Sequence, residues 1–367
     1  MTGAGAASLP AGIRRNVPLA PRTSLRLGGT AELFAEVADE ASLAELLAWA
    51  DGQGLPVTLL GGGSNVVVPD AGIAGLVLSL AWKGIAVESQ RRDEVRLRVA
   101  AGEPWDPLVA RTVAEGLAGL ECLSGIPGLV GATPIQNVGA YGVEVAELVR
   151  EVRVFDRRTG RVAALAPEAC GFAYRDSRFR RAPGAQVVLD VVFGLRPGGE
   201  PAVRYPELAR ALPAGPSEAA PPDLAQVRRT VLALRRGKSM VLGVPGDPNG
   251  CTAGSFFTNP IVPRERAAEL VRQAVETGLV DDPEQVPRWE LPDGRVKLAA
   301  GWLVERAGFP KGTRRGPVGV SSRHALALVH HGGGTSRALL ALAQEIVVAV
   351  QKRFQVTLVR EPVLLGS

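Results

Sequence analysis

The feature that most constrains this fold is a run of three glycines, Gly61–Gly63, between two short apolar segments. Pro56–Leu60 precedes the glycines and Val66–Val68 follows shortly after them, and both segments have the composition of β-strands. A glycine-rich dinucleotide-binding fingerprint must instead open a helix, and β-branched valines followed by Pro69 do not start one. The order of strand, glycine loop and strand therefore excludes the Rossmann arrangement.

The glycine loop, defined as Gly61–Asn65, offers consecutive backbone N–H groups that glycine leaves unshielded. Such a concave array suits the pyrophosphate of a dinucleotide, whereas a tight turn without a ligand is the alternative. If the loop needs positive φ at Gly62, a β-branched residue there is expected to prevent cofactor binding.

A second irregular stretch, residues 116–142, has neither helical nor strand periodicity, and long structureless segments inside a domain usually bind something. Its glycines permit backbone to lie flat against a large planar group. Ser124, Thr133, Gln136 and Asn137 offer polar contacts to the edges of such a ring.

Composition narrows the class of protein. The net charge is +5, but the basic clusters alternate with acidic residues and lack interleaved aromatic residues, which favours a solvated surface over a nucleic-acid track. We find no apolar run of ~18–20 residues and no signal peptide, so we expect a cytoplasmic protein without membrane insertion. The three cysteines are far apart and the three histidines lie near the C-terminus, so we expect neither a disulfide framework nor a metal site.

The element pattern predicts an α+β protein, with a strand-rich first half and a more helical second half. Ser42 and Glu45 predict a capping box that opens a helix ending near Ala50. Helical periodicity also covers Ser336–Phe354, and Val356–Val359 is predicted to be a closing strand. The proline-rich segment Leu212–Pro222 is the best candidate for a linker.

Several unusual segments follow one another in the chain: the glycine loop, Ile126–Gly142, Tyr174–Ser177, Gly254–Pro260, Lys297–Glu305 and Arg360–Gly366. Together they resemble UDP-N-acetylenolpyruvoylglucosamine reductases, flavoenzymes that complete UDP-N-acetylmuramic acid in bacterial wall synthesis. The resemblance extends from about Asn16 to Gly366. It implies an α+β fold with a two-part FAD-binding domain of the vanillyl-alcohol-oxidase/PCMH type and a C-terminal α+β substrate-binding domain. The expected bounds are 16–82 and 83–210 for the two FAD-binding subdomains, 211–223 for a linker and 224–367 for the C-terminal domain.

The resemblance also implies non-covalently bound FAD, with NADPH as reductant and UDP-N-acetylglucosamine enolpyruvate as substrate. The residues that it assigns to FAD are Gly61, Gly62, Gly63, Ser64, Asn65, Ile126, Ala132, Thr133, Ile135, Gln136 and Gly139. Those that it assigns to the substrate are Tyr141, Lys238, Asn259 and Lys297. We expect a monomeric protein.

Reducing an enol ether conjugated to a carboxylate requires a hydride, stabilisation of the resulting enolate and a proton. Arg175 is suited to pair with the carboxylate, and its alternative is a surface ion pair with Asp176. Ser255 is suited to donate the proton, and its alternative is a hydroxyl that caps the following turn. Glu361 would donate a hydrogen bond to the enolate if burial raises its pKa, and its alternative is an exposed tail residue.

Departures from the family pattern are Thr258 in place of the usual lysine, an unusual tail sequence around Glu361, and a long segment between Lys238 and Ser255. An oxidase of the same fold with covalently attached flavin is one competing function. No histidine precedes His324, which leaves Cys122 or Cys170 as a tether. A non-catalytic nucleotide-binding protein is the other.

Overall fold

The computed structural model describes residues 9–213 and 222–366. The first elements are β1 (Arg14–Pro18), β2 (Thr30–Val37), α1 (Glu40–Gly52), β3 (Val57–Leu60), β4 (Val66–Val67) and β5 (Ile73–Leu80). Four of the strands form a sheet in the order β1-β2-β5-β3, in which β1 is antiparallel to β2 and the other pairs are parallel. The glycine loop connects β3 to β4, so it lies at the carboxyl end of a parallel strand.

Helix α1 begins earlier than the sequence predicts. Asp39 is its N-cap, since the Asp39 carboxylate accepts a hydrogen bond from the Ser42 backbone N–H at 2.7 Å. The Ser42 hydroxyl reciprocates by accepting from the Asp39 backbone N–H at 3.2 Å. The predicted cap at Ser42 is therefore wrong: Ser42 is the third residue of the helix, and the carboxylate three positions earlier takes the capping role.

The second sheet follows directly. Its part of the chain comprises β6 (Ile85–Gln90), β7 (Val95–Ala100), α2 (Trp105–Ala114), β8 (Leu117–Ala118), β9 (Gly139–Ala140), β10 (Val143–Glu144), β11 (Val149–Asp156), β12 (Arg161–Leu165), α3 (Pro167–Cys170), α4 (Arg178–Arg181), β13 (Gln186–Pro197) and α5 (Pro206–Ala211). The antiparallel order is β12-β11-β13-β7-β6, with β8 on the end of β13. The two sheets share a core, because Phe155 and Leu189 of the second are buried together with α1 of the first.

The C-terminal part comprises α6 (Leu224–Gly237), β14 (Thr252–Ser255), β15 (Ile261–Val262), α7 (Arg264–Glu276), β16 (Arg288–Glu290), β17 (Val296–Leu298), α8 (Ala300–Arg306), β18 (Arg314–Arg315), β19 (Val318–Val320), β20 (Ala327–His330), α9 (Ser336–Phe354) and β21 (Val363–Leu364). Small sheets run in the orders β14-β20-β19-β18 and β15-β17-β16. Helix α9 is anchored on the N-terminal part of the chain, because the Asp70 carboxylate accepts from the backbone N–H groups of Ser336 and Arg337 at 2.7 and 2.9 Å.

The predicted closing strand at Val356–Val359 is wrong. Val356 and Leu358 are buried in the C-terminal core, so the alternation in the sequence reports burial and not sheet pairing. The strand instead lies further on, at β21, which pairs in parallel with β4 beside the glycine loop. This pairing brings the C-terminal tail to the site described below.

The sequence also predicts a linker at Leu212–Pro222 and the bounds of the domains on either side of it. Most of the predicted linker, residues 214–221, lies outside the described residues, and Ala211 is the last residue of α5. The domain bounds stay predictions. Within residues 9–213 and 222–366, no helix is long and apolar enough to cross a membrane.

Candidate active site

The glycine loop is held by close backbone contacts. Gly63 has φ of +65°, and a Cβ on it would lie 2.0 Å from the carbonyl oxygen of Arg22. A Cβ on Gly62 would lie 2.7 Å from the Cα of Gly128, although the φ of Gly62 is not in the left-handed region. The expectation of positive φ at Gly62 is therefore wrong, because the turn places that conformation at Gly63. Glycine at Gly62 is needed for close approach to the second irregular stretch.

The donor groups of the glycine loop fit an anionic ligand. Across the described residues, no hydrogen bond from the backbone N–H groups of positions 61–65 to a protein acceptor is found. Gly61 and Gly62 are exposed, while the Ser64 hydroxyl donates to the carbonyl oxygen of Pro127 at 3.1 Å and fastens the loop. Consecutive free donors in a fixed turn suit a pyrophosphate, so the residues present fit FAD.

The second irregular stretch lies against this loop. A Cβ on Gly61 would be in ordinary contact with Ala132, at 3.6 Å. Ile126 is half-buried, and Ile135 exposes 37% of its surface, which leaves an apolar side chain for a planar ring to cover. The Thr133 hydroxyl donates to the carbonyl oxygen of Val130 at 2.8 Å, so it already has a partner inside the turn.

Asn65 and Gln136, both assigned to FAD by the resemblance, also connect the glycine loop to the C-terminal tail. The Asn65 amide donates to Gln136 Oε1. Gln136 Nε2 donates to Glu361 Oε1 at 3.3 Å, and the backbone N–H of Val363 donates to the carbonyl oxygen of Asn65 at 3.0 Å. The tail is thus tied to the loop by side chains and by backbone.

Arg175 projects from the turn before α4, with an unusual φ of +54°. Its Nε lies 3.2 Å from Glu361 Oε1, and its Nη2 donates to the carbonyl oxygen of Gly139 at 2.7 Å. A Cβ on Gly139 would lie 2.9 Å from Glu144 Cγ and 3.1 Å from Arg175 Nη1, so a side chain there would crowd both residues. The surface-pair alternative for Arg175 is wrong, since Asp176 pairs with Arg181.

Glu361 is a buried carboxylate and not an exposed tail residue. Its side chain is 13% exposed. Burial raises its pKa above the ordinary value, while the positive charges of Arg175 and Arg180 oppose that shift. The surroundings of the carboxylate therefore favour its protonated form more than water does.

Ser255 is the last residue of β14, directly before the residue that meets the tail. The backbone N–H of Glu361 donates to the carbonyl oxygen of Phe256 at 3.0 Å, which brings Ser255 into the neighbourhood of Glu361. The structure shows no hydrogen bond from the Ser255 hydroxyl to any described residue, so a capping role for this hydroxyl has no support.

Lys297 lies beside Arg175, on the C-terminal domain. Its Nζ is 5.1 Å from the centre of the Tyr174 ring and 5.7 Å from that of Trp289. Burial lowers the pKa of Lys297, and the nearby Arg175 adds to that effect. Asn259 caps α8, since its Oδ1 accepts from the backbone N–H of Ala300 at 2.9 Å.

The remaining two residues assigned to the substrate, Tyr141 and Lys238, form a separate group. The Tyr141 ring meets that of Tyr205 edge to face at 5.7 Å, and burial raises the pKa of Tyr141 to about 12. Lys238 Nζ lies 2.7 Å from Glu207 Oε2. In the described parts of the chain, no hydrogen bond or ion pair joins this group to Arg175. All of the assigned site roles stay predictions.

Sequence reasoning missed Tyr174, Arg180 and Tyr205. Tyr174 is the first residue of the Tyr174–Ser177 segment and Arg180 follows that segment, and the four arginines within residues 175–181 gave no sign of which one faces inward. Tyr205 directly precedes α5 and contacts Tyr141 edge to face, although nothing in the sequence around it pointed to a role. The only clue to these residues was their closeness in the sequence to an assigned motif. That clue does not distinguish one arginine from the arginines next to it.

Known proteins resemble this chain over most of its length. Residues 31–166 match a family described as an FAD binding domain, and residues 247–365 match the C-terminal domain of UDP-N-acetylenolpyruvoylglucosamine reductase. The reductase of Thermobifida fusca is 49% identical over 96% of this chain and 98% of its own. That of Saccharopolyspora erythraea is 50% identical over 95% of this chain and 94% of its own.

The fold has a counterpart among solved structures. The crystal structure of the reductase from Thermus caldophilus matches with a TM-score of 0.64 and 24% identity, over 96% of this chain and 99% of that one. The predicted fold class is confirmed: an α+β FAD-binding domain is followed by a C-terminal domain of the reductase type. From the near-full-length relatives it follows that the chain belongs to the UDP-N-acetylenolpyruvoylglucosamine reductase family.

Proposed function

We propose that this chain catalyses the NADPH-dependent, FAD-mediated reduction of UDP-N-acetylglucosamine enolpyruvate to UDP-N-acetylmuramate, a step of peptidoglycan precursor synthesis. The observation that carries the proposal is the meeting of three elements beside the glycine loop. The turn bearing Arg175, the tail bearing Glu361 and the end of β14 bearing Ser255 come from distant parts of the chain. Family membership supplies the substrate and the reductant.

FAD, when bound, supplies the chemistry of hydride transfer between NADPH and the substrate. The glycine loop would hold its pyrophosphate through backbone N–H groups, and the stretch around Ala132 and Ile135 would cover its ring. Gly62 and Gly128 approach each other too closely for side chains, so these two parts of the cradle are fixed relative to one another.

Arg175 binds the carboxylate of the substrate. Its Nε and Nη2 face Glu361 and Gly139, and its Nη1 donates to no described residue. A free guanidinium N–H directed at a carboxylate both orients the substrate and stabilises the enolate charge that develops during reduction. The hydrogen bond from Arg175 Nη2 to the Gly139 carbonyl oxygen holds the guanidinium in place while the substrate binds.

Ser255 supplies the proton that completes the reduction, and Glu361 stabilises the enolate that receives it. The Ser255 hydroxyl, which has no acceptor among the described residues, donates its proton to the carbon next to the carboxylate. Substrate carboxylate on Arg175 offsets the positive charge that lowers the pKa of Glu361, so substrate binding raises that pKa further. Protonated Glu361 then donates a hydrogen bond to the enolate oxygen.

The proposal also includes substrate contacts and domain bounds that rest on the family resemblance. Lys297, Asn259, Tyr141 and Lys238 are proposed contacts to the sugar nucleotide, and 16–82, 83–210 and 224–367 are the proposed domains. We also propose a cytoplasmic, monomeric enzyme.

The oxidase alternative lacks a tether. Cys122 and Cys170 are both fully buried, and burial raises the pKa of their thiols to about 12 and about 11. Such thiols are neither accessible nor nucleophilic at neutral pH. Acid precipitation of the purified protein tests this directly, because yellow colour is expected in the supernatant and colour in the pellet would favour the oxidase.

Steady-state kinetics test the proposed reaction. The sequence offers no second nucleotide motif, so we expect NADPH and the enolpyruvyl substrate to use one cleft in turn. Double-reciprocal plots of initial rate should be parallel, with inhibition at high substrate, and UDP-N-acetylmuramate should accumulate in step with NADPH consumption. Converging lines would indicate separate sites, and NADPH consumption without that product would contradict the proposed function.

A further inference from the structure

Arg180, on α4, joins the FAD-binding domain to the C-terminal tail. Its Nη2 donates to the carbonyl oxygen of Glu361 at 3.1 Å and to that of Arg360 at 3.4 Å. Its Nη1 donates to Gln136 Oε1 at 3.0 Å. The Arg180 guanidinium therefore binds both the backbone of Glu361 and the Gln136 amide, which in turn contacts the Glu361 carboxylate.

The amide of Gln136 has its orientation fixed by these donors. Gln136 Oε1 accepts hydrogen bonds from the Asn65 amide and from Arg180, and neither of these groups can act as an acceptor in that geometry. The nitrogen of the amide must then face Glu361 Oε1, which lies 3.3 Å away. Without Arg180, the Asn65 amide alone would hold the Gln136 oxygen, so the orientation of the Gln136 amide would be less firmly fixed.

Other contacts hold the tail on either side, and among the described residues the Glu361 carbonyl accepts a long hydrogen bond from the Asn65 amide, at 3.4 Å, besides the one from Arg180. The backbone N–H of Glu361 donates to Phe256, and Val363 donates to Asn65. Between these two anchors, Arg180 supplies the shorter bond to the Glu361 carbonyl and also reaches the Arg360 carbonyl, and charge-assisted bonds are the stronger kind. It is also, with Arg175, one of the two cations that lower the pKa of Glu361, while Tyr174 is the third titratable group facing this carboxylate.

We propose that Arg180 is a positioning residue, which sets the Glu361 carboxylate against Arg175 and Gln136 by clamping the tail and fixing the Gln136 amide. The proposal rests on the proposed function of Glu361. In the described part of the chain, Arg180 makes no hydrogen bond to the glycine loop's backbone N–H groups, which would hold the FAD pyrophosphate, so flavin retention is expected to survive its replacement although Gln136 is shared by both networks.

The test compares Arg180→Met with Arg180→Lys in the flavin-loaded enzyme. Loss of the charge-assisted bonds in Arg180→Met is expected to slow reduction of the enolpyruvyl substrate about 10- to 100-fold. Flavin reduction by NADPH should stay within about twofold of wild type, with unchanged flavin content by absorbance. Arg180→Lys keeps the charge but cannot make the same fork of bonds, so it should recover only part of the rate.

The pH profile separates positioning from a general structural role. Protonated Glu361 is the active form, so the rate of substrate reduction falls as pH rises through its pKa. Removing the positive charge of Arg180 removes one group that lowers this pKa, and the falling limb in Arg180→Met should move to higher pH. Arg180→Lys should keep the limb near its wild-type position, and the limb should be absent when Glu361→Gln is added.

Arg178 provides the matched control, since it lies on the same helix and donates to the carbonyl oxygen of Ala169, away from the tail. Arg178→Met is expected to match wild type in both half-reactions. If Arg180→Met leaves the pH limb in place, or slows both half-reactions equally, the proposal is overturned. Should Arg180→Met not fold, Arg180→Lys decides alone, because wild-type rates there would overturn it. A wild-type enzyme that does not reduce the enolpyruvyl substrate would instead defeat the proposed function.

Discussion

Replacing Ser255 by alanine is expected to slow reduction of the enolpyruvyl substrate by ~10²–10⁴-fold, the usual contribution of one acid–base group. Flavin reduction by NADPH should proceed at a near-normal rate, because that step needs no proton from the protein side chain. The physical reason lies in the position of Ser255, whose hydroxyl has no acceptor among the described residues and whose strand end adjoins the Glu361 backbone. Stopped-flow absorbance of the flavin measures the two half-reactions separately.

Thr258→Ala is the matched control for this experiment. Thr258 also carries a hydroxyl, lies three residues further along, and makes only a long 3.4 Å bond to the carbonyl oxygen of Val359. We expect it to stay within about twofold of wild type in both half-reactions, the range of an ordinary surface substitution. Equal slowing of both halves in Ser255→Ala would assign the serine a structural role and leave the proton donor elsewhere.

Glu361→Gln is expected to show the same asymmetry as Ser255→Ala, more weakly. An amide can still donate a hydrogen bond to the enolate, but it cannot take up a proton when the substrate arrives. The rate of substrate reduction should therefore lose the limb that Glu361 contributes to its pH profile.

Local patterns predicted the long elements well. Ser336–Phe354 is found as α9 with the predicted bounds, because 19 residues of regular helical periodicity outweigh the ambiguity at each end. Helix α1 shows the limit of such patterns, since the sequence predicts a cap at Ser42 while in the structure the Asp39 carboxylate caps the helix and Ser42 is its third residue.

The site was harder to predict, since long-range pairing assembles it. Glu361 meets Arg175 because β21 pairs with β4, and each of those strands has only two residues. A two-residue strand has no period, so the sequence alone could not bring the tail to the glycine loop. The family resemblance assigned Glu361 to the site. The structure shows why Glu361 lies there: the C-terminal tail returns to the FAD-binding domain and pairs with β4.

The same limit explains Arg180. Near it, Arg178 and Arg181 have the same chemistry and different partners: one donates to a backbone carbonyl and the other pairs with Asp176. Which arginine turns toward the tail depends on the start of α4, fixed by the Ser177 hydroxyl accepting from the backbone N–H groups of Phe179 and Arg180. A shift of one residue would rotate a different arginine inward, and sequence patterns do not resolve one residue at a helix of this length.

Replacing Gly62 by valine is expected to abolish retention of FAD while the protein still folds. A Cβ at this position would lie 2.7 Å from the Cα of Gly128, so the side chain must push apart the two loops that form the cradle. Overpacking of this kind costs ~1–3 kcal/mol, which weakens binding by roughly 5- to 150-fold even before the side chain blocks the free N–H groups. The ratio of flavin to protein absorbance after gel filtration measures the effect.

Two other glycines make this experiment decisive. Gly52 ends α1, and a Cβ added there would meet nothing within 4 Å, so Gly52→Val should keep its flavin and its thermal stability. Gly63 combines a φ of +65° with a Cβ position 2.0 Å from a backbone oxygen, so Gly63→Ala should lower the melting temperature of the protein itself. Loss of flavin with at most a small fall in melting temperature is thus expected for Gly62→Val alone, and a Gly62→Val protein that keeps its yellow colour would show that the loop is only a turn.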